Sequence, residues 1–298
     1  MIISAPAVAI VVMAGLLIVA VPFSGMAASF GVARTYAPVL NKPDFKAVFG
    51  GKDRISLKTD NCGQVRELEF TALPGTVFKL LEAVRRNGET IYRVETDEYI
   101  APPGVKLFLD SRFLEITKQV PPSRSRRLPG REEIVASMRN AVGVPYVWGG
   151  NRQEGIDELS RLYYQKPLPS GTEGVLLLAG VDCSGLLYQA TNGWTPRNTS
   201  QLVHYGKGLS IAGKTAEEIA RLLEPLDLIV WKGHVVIVLD PETTIESALA
   251  CGKPGNGGVV TTALVKRIRE VMKKRQPADD WPAAGKMSDV FVIRRWIK

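Results

Sequence analysis

The chain has 298 residues, with 38 Lys and Arg against 30 Asp and Glu, and a formal net charge of +8 at pH 7. That length has room for two domains and a sizeable core, and the charge suits an anionic partner such as a cell-wall polymer, anionic lipid or nucleic acid. There is no zinc-ligand spacing, P-loop or dinucleotide fingerprint, and the basic residues are not interleaved with aromatics. This argues against nucleic acid as the partner and against a metal or any other cofactor.

No charged side chain occurs in residues 1–33, and Ala5 to Phe23 is almost continuously apolar before the small residues Ser24 to Ser29. Residues 1–28 therefore read as a secretory signal cleaved near Ala27 or Ala28, with an uncleaved membrane anchor as the alternative. Either way the expectation is export to the periplasm or cell envelope.

Short alternating segments follow. Thr76 to Val84 and Thr90 to Val94 flank Arg85-Arg86-Asn87-Gly88, and two strand-like runs around Asn-Gly predict a hairpin. Val105 to Leu114 adds a strand running into a tight turn. About five such strands predict a small β-barrel domain over 29–119. Pro121-Pro122-Ser123-Arg124-Ser125-Arg126-Arg127-Leu128-Pro129-Gly130 lies in a span, 120–130, that reads as a solvated linker.

Helical periodicity begins next. Ile134, Met138 and Ala141 fall at i, i+4 and i+7, after Glu132 and Glu133, which suit a first turn. Asn151 to Val181 is a long, partly polar insertion ahead of Cys183. Val265 to Lys274 predicts a basic helix with Val265, Ile268 and Met272 on one side and Lys266, Arg267, Arg269, Lys273 and Lys274 mostly on a solvated face.

The segment from Gly180 to Leu187 places Cys183 between Asp182 and Ser184, just before an apolar run. Asp or Ser ahead of such a run starts a helix. A thiol on that first turn meets the positive end of the macrodipole, a setting that suits a nucleophile. The chain has two histidines. His204 lies in a polar stretch like a helix end and reads as a surface residue, whereas His234 opens the strand-like run His234 to Asp240. An imidazole general base needs a third group to hold its tautomer, and Glu246 lies on the next short strand. A turn of odd length would pair Glu246 with Val236, diagonal to His234 on one face; an even turn would place it on the other face. Cys62 and Cys251 read equally as a disulfide or as two buried thiols.

Pro145 to Gly150, Asp182 to Leu186, Thr195 to Gln201 and Leu226 to Asp240, in that order, resemble the NlpC-type cysteine peptidases of bacterial cell walls. The match spans residues 131–298, and Leu109 to Leu114 resembles the close of bacterial SH3-like domains. The resemblance implies an α+β chain: a papain-like catalytic domain preceded by a small SH3-like β-barrel. It places the nucleophile at Cys183, the base at His234, the orienting group at Glu246 and an oxyanion-side tyrosine at Tyr146. Asp182 and Ser184 match positions that help hold the amino end of the substrate. The implied activity is hydrolysis of peptidoglycan stem peptides at the γ-D-glutamyl–diaminopimelate bond. A non-catalytic wall-binding protein, and an amidase or acyltransferase of the same fold, are the competing expectations. Three departures stand out: Glu246 replaces the commoner His, the insertion at Asn151 to Val181 is long enough to wall or lid the cleft, and Leu226 replaces the usual Gly before Asp227.

Overall fold

The protein is described by a computed structural model covering residues 29–282 and 289–297. The expected signal or anchor at 1–28 lies outside the described residues. Among those described, no helix is long and apolar enough to cross a membrane. The architecture is mixed α and β, built on two seven-stranded sheets.

The first sheet comprises β1 (Ser29–Ala33), β2 (Ala37–Leu40), β3 (Leu68–Ala72), β4 (Val77–Arg86), β5 (Glu89–Glu95), β6 (Leu107–Asp110) and β7 (Leu114–Thr117), in the order β3-β2-β6-β5-β4-β1-β7. The β4–β5 hairpin turns on Asn87 and Gly88, at φ 50° and 86°, with Arg86 opposite Glu89. Two consecutive left-handed residues match the twist of the flanking strands, which is why Asn-Gly stands there. Asp110 accepts a hydrogen bond from the Arg112 N–H (2.9 Å) and so turns the chain from β6 into β7.

The expected closed barrel is not found among the described residues: β3 and β7 remain edges that do not pair. The side chain of Asn151 meets β3 instead. Its amide accepts from the Thr71 N–H (3.1 Å) and donates to the Thr71 carbonyl (3.0 Å), satisfying an edge that would otherwise seek a strand.

The second sheet forms with α1 (Arg131–Asn140), α2 (Cys183–Ala190), β8 (Lys207–Gly208), α3 (Ala216–Leu222), β9 (Leu228–Trp231), β10 (His234–Asp240), β11 (Thr243–Leu249), β12 (Gly257–Ala263), α4 (Leu264–Met272), β13 (Gln276–Pro277) and β14 (Val290–Arg295). Its strand order is β8-β14-β9-β10-β11-β12, and β13 runs parallel beside β14. Leu228, Val230, Val235 and Ile237 pack with Ile134 and Met138 of α1 and Leu186 and Leu187 of α2. Their alternates Ile229, Trp231, Val236 and Val238 pack with Ile219 of α3 and Ile268 of α4. A sheet covered on both faces buries every position, so its central strands read as unbroken apolar runs. Leu226 enters this sheet at φ 74°, a strained value for a branched residue, held by full burial and by its N–H bonding the Val238 carbonyl at 2.8 Å.

Three features join the two sheets. Cys62 and Cys251 form a disulfide, with Cα atoms 5.0 Å apart. The insertion is pinched at its base by the pairing of Asn151–Arg152 with Gly180–Val181, and Ile156, Leu159, Tyr163, Tyr164 and Leu176 to Leu178 enter the core beneath the first sheet. The segment expected as a solvated linker is clamped. The Arg124 fork donates to both oxygens of buried Glu98 (2.9–3.1 Å) and to the Asn192 carbonyl (3.2 Å), and Arg126 stands 3.9 Å from the same carboxylate.

Candidate active site

Cys183 is the first residue of α2 and 6% exposed. Its cap is Asp182, whose Oδ1 accepts from the Gly185 N–H at 2.7 Å. The loop ahead, Gly149-Gly150, lies directly against this turn: Gly149 donates to Asp182 Oδ2 at 3.0 Å, and Asp182 donates to the Gly150 carbonyl at 2.9 Å. A Cβ on Gly185 would sit 2.0 Å from the Gly150 oxygen. That approach excludes every other residue at 185 and holds the first turn of α2 in place.

Behind Cys183 lies a residue to which the sequence reading assigned no role. Arg197, 2% exposed, donates to Asp182 Oδ1 (2.9 Å) and Oδ2 (2.8 Å), Ser184 Oγ (2.8 Å), Asn151 Oδ1 (3.1 Å) and the Gly150 carbonyl (3.1 Å). Burial opposes its charge, and the Asp182 carboxylate overrides it, holding the guanidinium above its ordinary value. The same contacts engage Asp182 and Ser184. Both are buried, Ser184 Oγ also donates to Asp182 at 3.1 Å, and the carboxylate is used by the cap and by Arg197. The two side chains frame the turn that carries Cys183. The only trace of Arg197 in the sequence is its place in Thr195 to Gln201, since a lone buried arginine leaves no periodicity.

His234 opens β10, and its Nε2 lies 2.6 Å from Glu246 Oε2 on β11. Cys183 is near enough to the same ring to raise its pKa, and with Nε2 on Glu246 the remaining ring nitrogen is Nδ1. Burial disfavours a charged ring here. The Cys183 and Glu246 charges and hydrogen bonds outweigh it and raise the His234 pKa to about 9. Burial likewise pushes the Glu246 carboxyl up, but hydrogen bonds from His234 and Arg267 bring it below its ordinary value.

Arg267 was expected on the solvated face of the basic helix. It turns inward instead: Nε reaches Glu246 Oε1 at 2.5 Å and Nη2 reaches Oε2 at 2.7 Å. A carboxylate whose side chain is only 5% exposed needs a cation at the side not used by His234, and α4 supplies it. Four groups therefore stand in one line: Cys183, His234, Glu246, Arg267. His204 is exposed and outside this line.

Tyr146 is 8% exposed and bridges to Val181, next to the Cys183 turn. Burial, then the nearby Asp182 and Cys183 charges, push its hydroxyl well above the ordinary tyrosine value, so it stays a donor. Its backbone is gripped from the first sheet's side. Gln64 Nε2 donates to the Tyr146 carbonyl (3.4 Å), and Gln64 Oε1 accepts from the Trp148 N–H (2.8 Å). Among the described residues no cluster of His, Cys, Asp and Glu suits a metal ion.

No protein-family model matches the chain, and no curated protein matches it in sequence. Among solved structures it is similar to an NlpC/P60 family protein from Bacillus cereus ATCC 10987, with 17% identity, 80% of this chain and 59% of that one covered, and a TM-score of 0.31. It is similar to NlpC2 from Trichomonas vaginalis, with 14% identity, 79% and 71% coverage, and a TM-score of 0.27. It is also similar to an NlpC/P60 endopeptidase from Photobacterium damselae subsp. piscicida, with 13% identity, 79% and 65% coverage, and a TM-score of 0.36. The chain thus spans about three fifths of the Bacillus cereus protein's length.

Proposed function

We propose that this chain is an exported cysteine endopeptidase that hydrolyses peptidoglycan stem peptides at the γ-D-glutamyl–diaminopimelate bond. The single observation that carries the reading is the 2.6 Å contact of His234 Nε2 with Glu246, on a ring whose pKa Cys183 and Glu246 together raise. A thiol, a base and an orienting acid in this order are what acyl transfer through a thioester requires.

In this mechanism His234 takes the proton of Cys183 as Sγ attacks the scissile carbonyl carbon. The oxyanion is met by the Cys183 N–H and the Tyr146 hydroxyl. His234 returns its proton to the leaving amine, which departs as the C–N bond breaks. His234 then takes a proton from water, whose oxygen attacks the thioester and frees the acid and the thiol. Glu246, held by Arg267, keeps the ring in one tautomer throughout. The Cys62–Cys251 disulfide supports a place outside the cytoplasm, where disulfides persist.

Digestion of intact peptidoglycan, with released fragments read by mass spectrometry, tests the reading. Fragments ending in γ-D-glutamate support it. Release of whole stem peptides would assign an amidase, and binding without any release would assign a wall-binding module.

A further inference from the structure

A second concavity, of about 230 Å³, opens on the first sheet and shares no lining residue with the Cys183 site. Its back wall is a fixed polar array. Asp110, fully buried, accepts from the Tyr163 hydroxyl at 2.5 Å and from Arg112 Nη2 at 2.7 Å. Arg112 also reaches Glu89 at 3.2 Å and lies 4.8 Å from the centre of the Tyr163 ring. Both carboxylates of the cavity are therefore already matched, and Asp44, nearby, meets the Asn87 amide at 3.4 Å.

The rim is different. Lys46, Arg54 and Arg86 line the same cavity from three separate segments and are exposed. Among the described residues none of the three has an acidic partner within 4.0 Å. Among the described residues Arg54 donates a long bond to the Tyr164 carbonyl (3.5 Å) and Arg86 one to the Arg85 carbonyl (3.2 Å), so most of their N–H groups have no partner there. Set around one concavity, the three make its rim positive, and such a rim draws anions. Two arginine forks and a lysine suit phosphate or carboxylate oxygens. Phe45, Ile91 and Leu162 supply an apolar floor. The volume falls below the ~300–1,000 Å³ of pockets that take drug-sized ligands, so the occupant is small.

We propose that this cavity binds a small phosphorylated or carboxylated molecule, its oxyanion on the rim cations and its body on the apolar floor. The insertion that supplies Tyr163 and Leu162 completes the cavity, which gives that segment a role beyond the cleft. The proposal does not depend on the chemistry at Cys183.

Calorimetric titration of the full chain with glucose 6-phosphate, glucuronate, inorganic phosphate and glucose tests it. The expected result is saturable binding of one or both anionic sugars, none of glucose, and weakening by about tenfold or more in Arg54→Ala/Arg86→Ala. Preference for glucose 6-phosphate assigns the phosphate source, and preference for glucuronate the carboxylate. Because both arginines are exposed, the double variant is expected to keep the wild-type melting temperature. No saturation by either anionic sugar up to about 10 mM would overturn the proposal. So would binding that survives the double variant unchanged, or inorganic phosphate binding as tightly as the sugars.

Discussion

Leu239 is the residue that turns Glu246 toward His234. In β10 and β11, Ile237 stands opposite Ile245 and Val238 opposite Thr244, but the register then shifts so that Asp240 faces Thr243. Leu239 is the extra residue, a bulge. The two-residue turn Pro241-Glu242 on its own would place Glu246 opposite Ile237, on the wrong face. The bulge moves it opposite Val236, diagonal to His234, and the 2.6 Å bond follows.

Glu246→Gln should therefore alter the pH profile as well as the rate. The folded-state pKa of His234 is raised to about 9. The proton it holds stabilises the site fully below about 6.5, and that contribution is lost as pH rises through 9. Turnover that relies on the protonated ring is expected to fall off near pH 9 in the wild type. In Glu246→Gln this alkaline limb should move to lower pH, with a rate loss of roughly 10²–10⁴-fold. Steady-state rates across pH 5 to 10 read both, and an unmoved limb would count against Glu246 as the orienting group.

Arg267→Ala removes the cation that keeps Glu246 ionised inside the protein. Because Arg267 lowers the Glu246 pKa, its loss should raise it, and the acid limb of activity should shift to higher pH. The stability that Glu246 contributes is present above its unfolded value and lost as pH falls through the folded one. In the variant that loss begins at higher pH. The effect is expected in kcat rather than KM, and Arg267→Lys should restore part of it, since it returns the charge without the fork.

How far the sequence carried this picture differs by element. The Asn87-Gly88 hairpin, the helix carrying Ile134 and Met138, and a helix starting at Cys183 were legible because each is set by a local pattern. Long-range side-chain partners were not. Arg267 and Arg124 sit among other basic residues and read as solvated, yet a buried carboxylate from a distant segment recruits each of them. The Leu239 bulge leaves no compositional mark, so an odd and an even turn both stood open for Glu246. Barrel closure failed for a similar reason: a single asparagine 80 residues away satisfies the edge at Thr71.

Gly185→Ala tests the interlock of the two glycine segments. The added methyl would meet the Gly150 oxygen at 2.0 Å, and this neighbour is backbone, which cannot rotate away. A destabilisation of about 1–3 kcal/mol is expected, lowering the melting temperature by roughly 2–12 °C. Activity should fall further than stability, because Cys183 moves with the turn. Thermal unfolding and rate measured together would show it, and a variant normal in both would contradict the packing described.

Tyr146→Phe removes the proposed oxyanion donor and should cost about 10²–10³-fold in kcat. His204→Ala, on an exposed histidine, should leave the rate within about twofold of wild type, as surface substitutions away from such features do. A near-normal Tyr146→Phe or an inactive His204→Ala would reassign these roles.

The most direct test of the account uses a defined peptide. Wild type and Cys183→Ala would be incubated with L-Ala-γ-D-Glu-diaminopimelate and the products identified by mass spectrometry. The account predicts L-Ala-γ-D-Glu and free diaminopimelate from the wild type and intact tripeptide from Cys183→Ala. Cleavage that persists in Cys183→Ala, or a wild type that leaves both this peptide and peptidoglycan uncut, would contradict it.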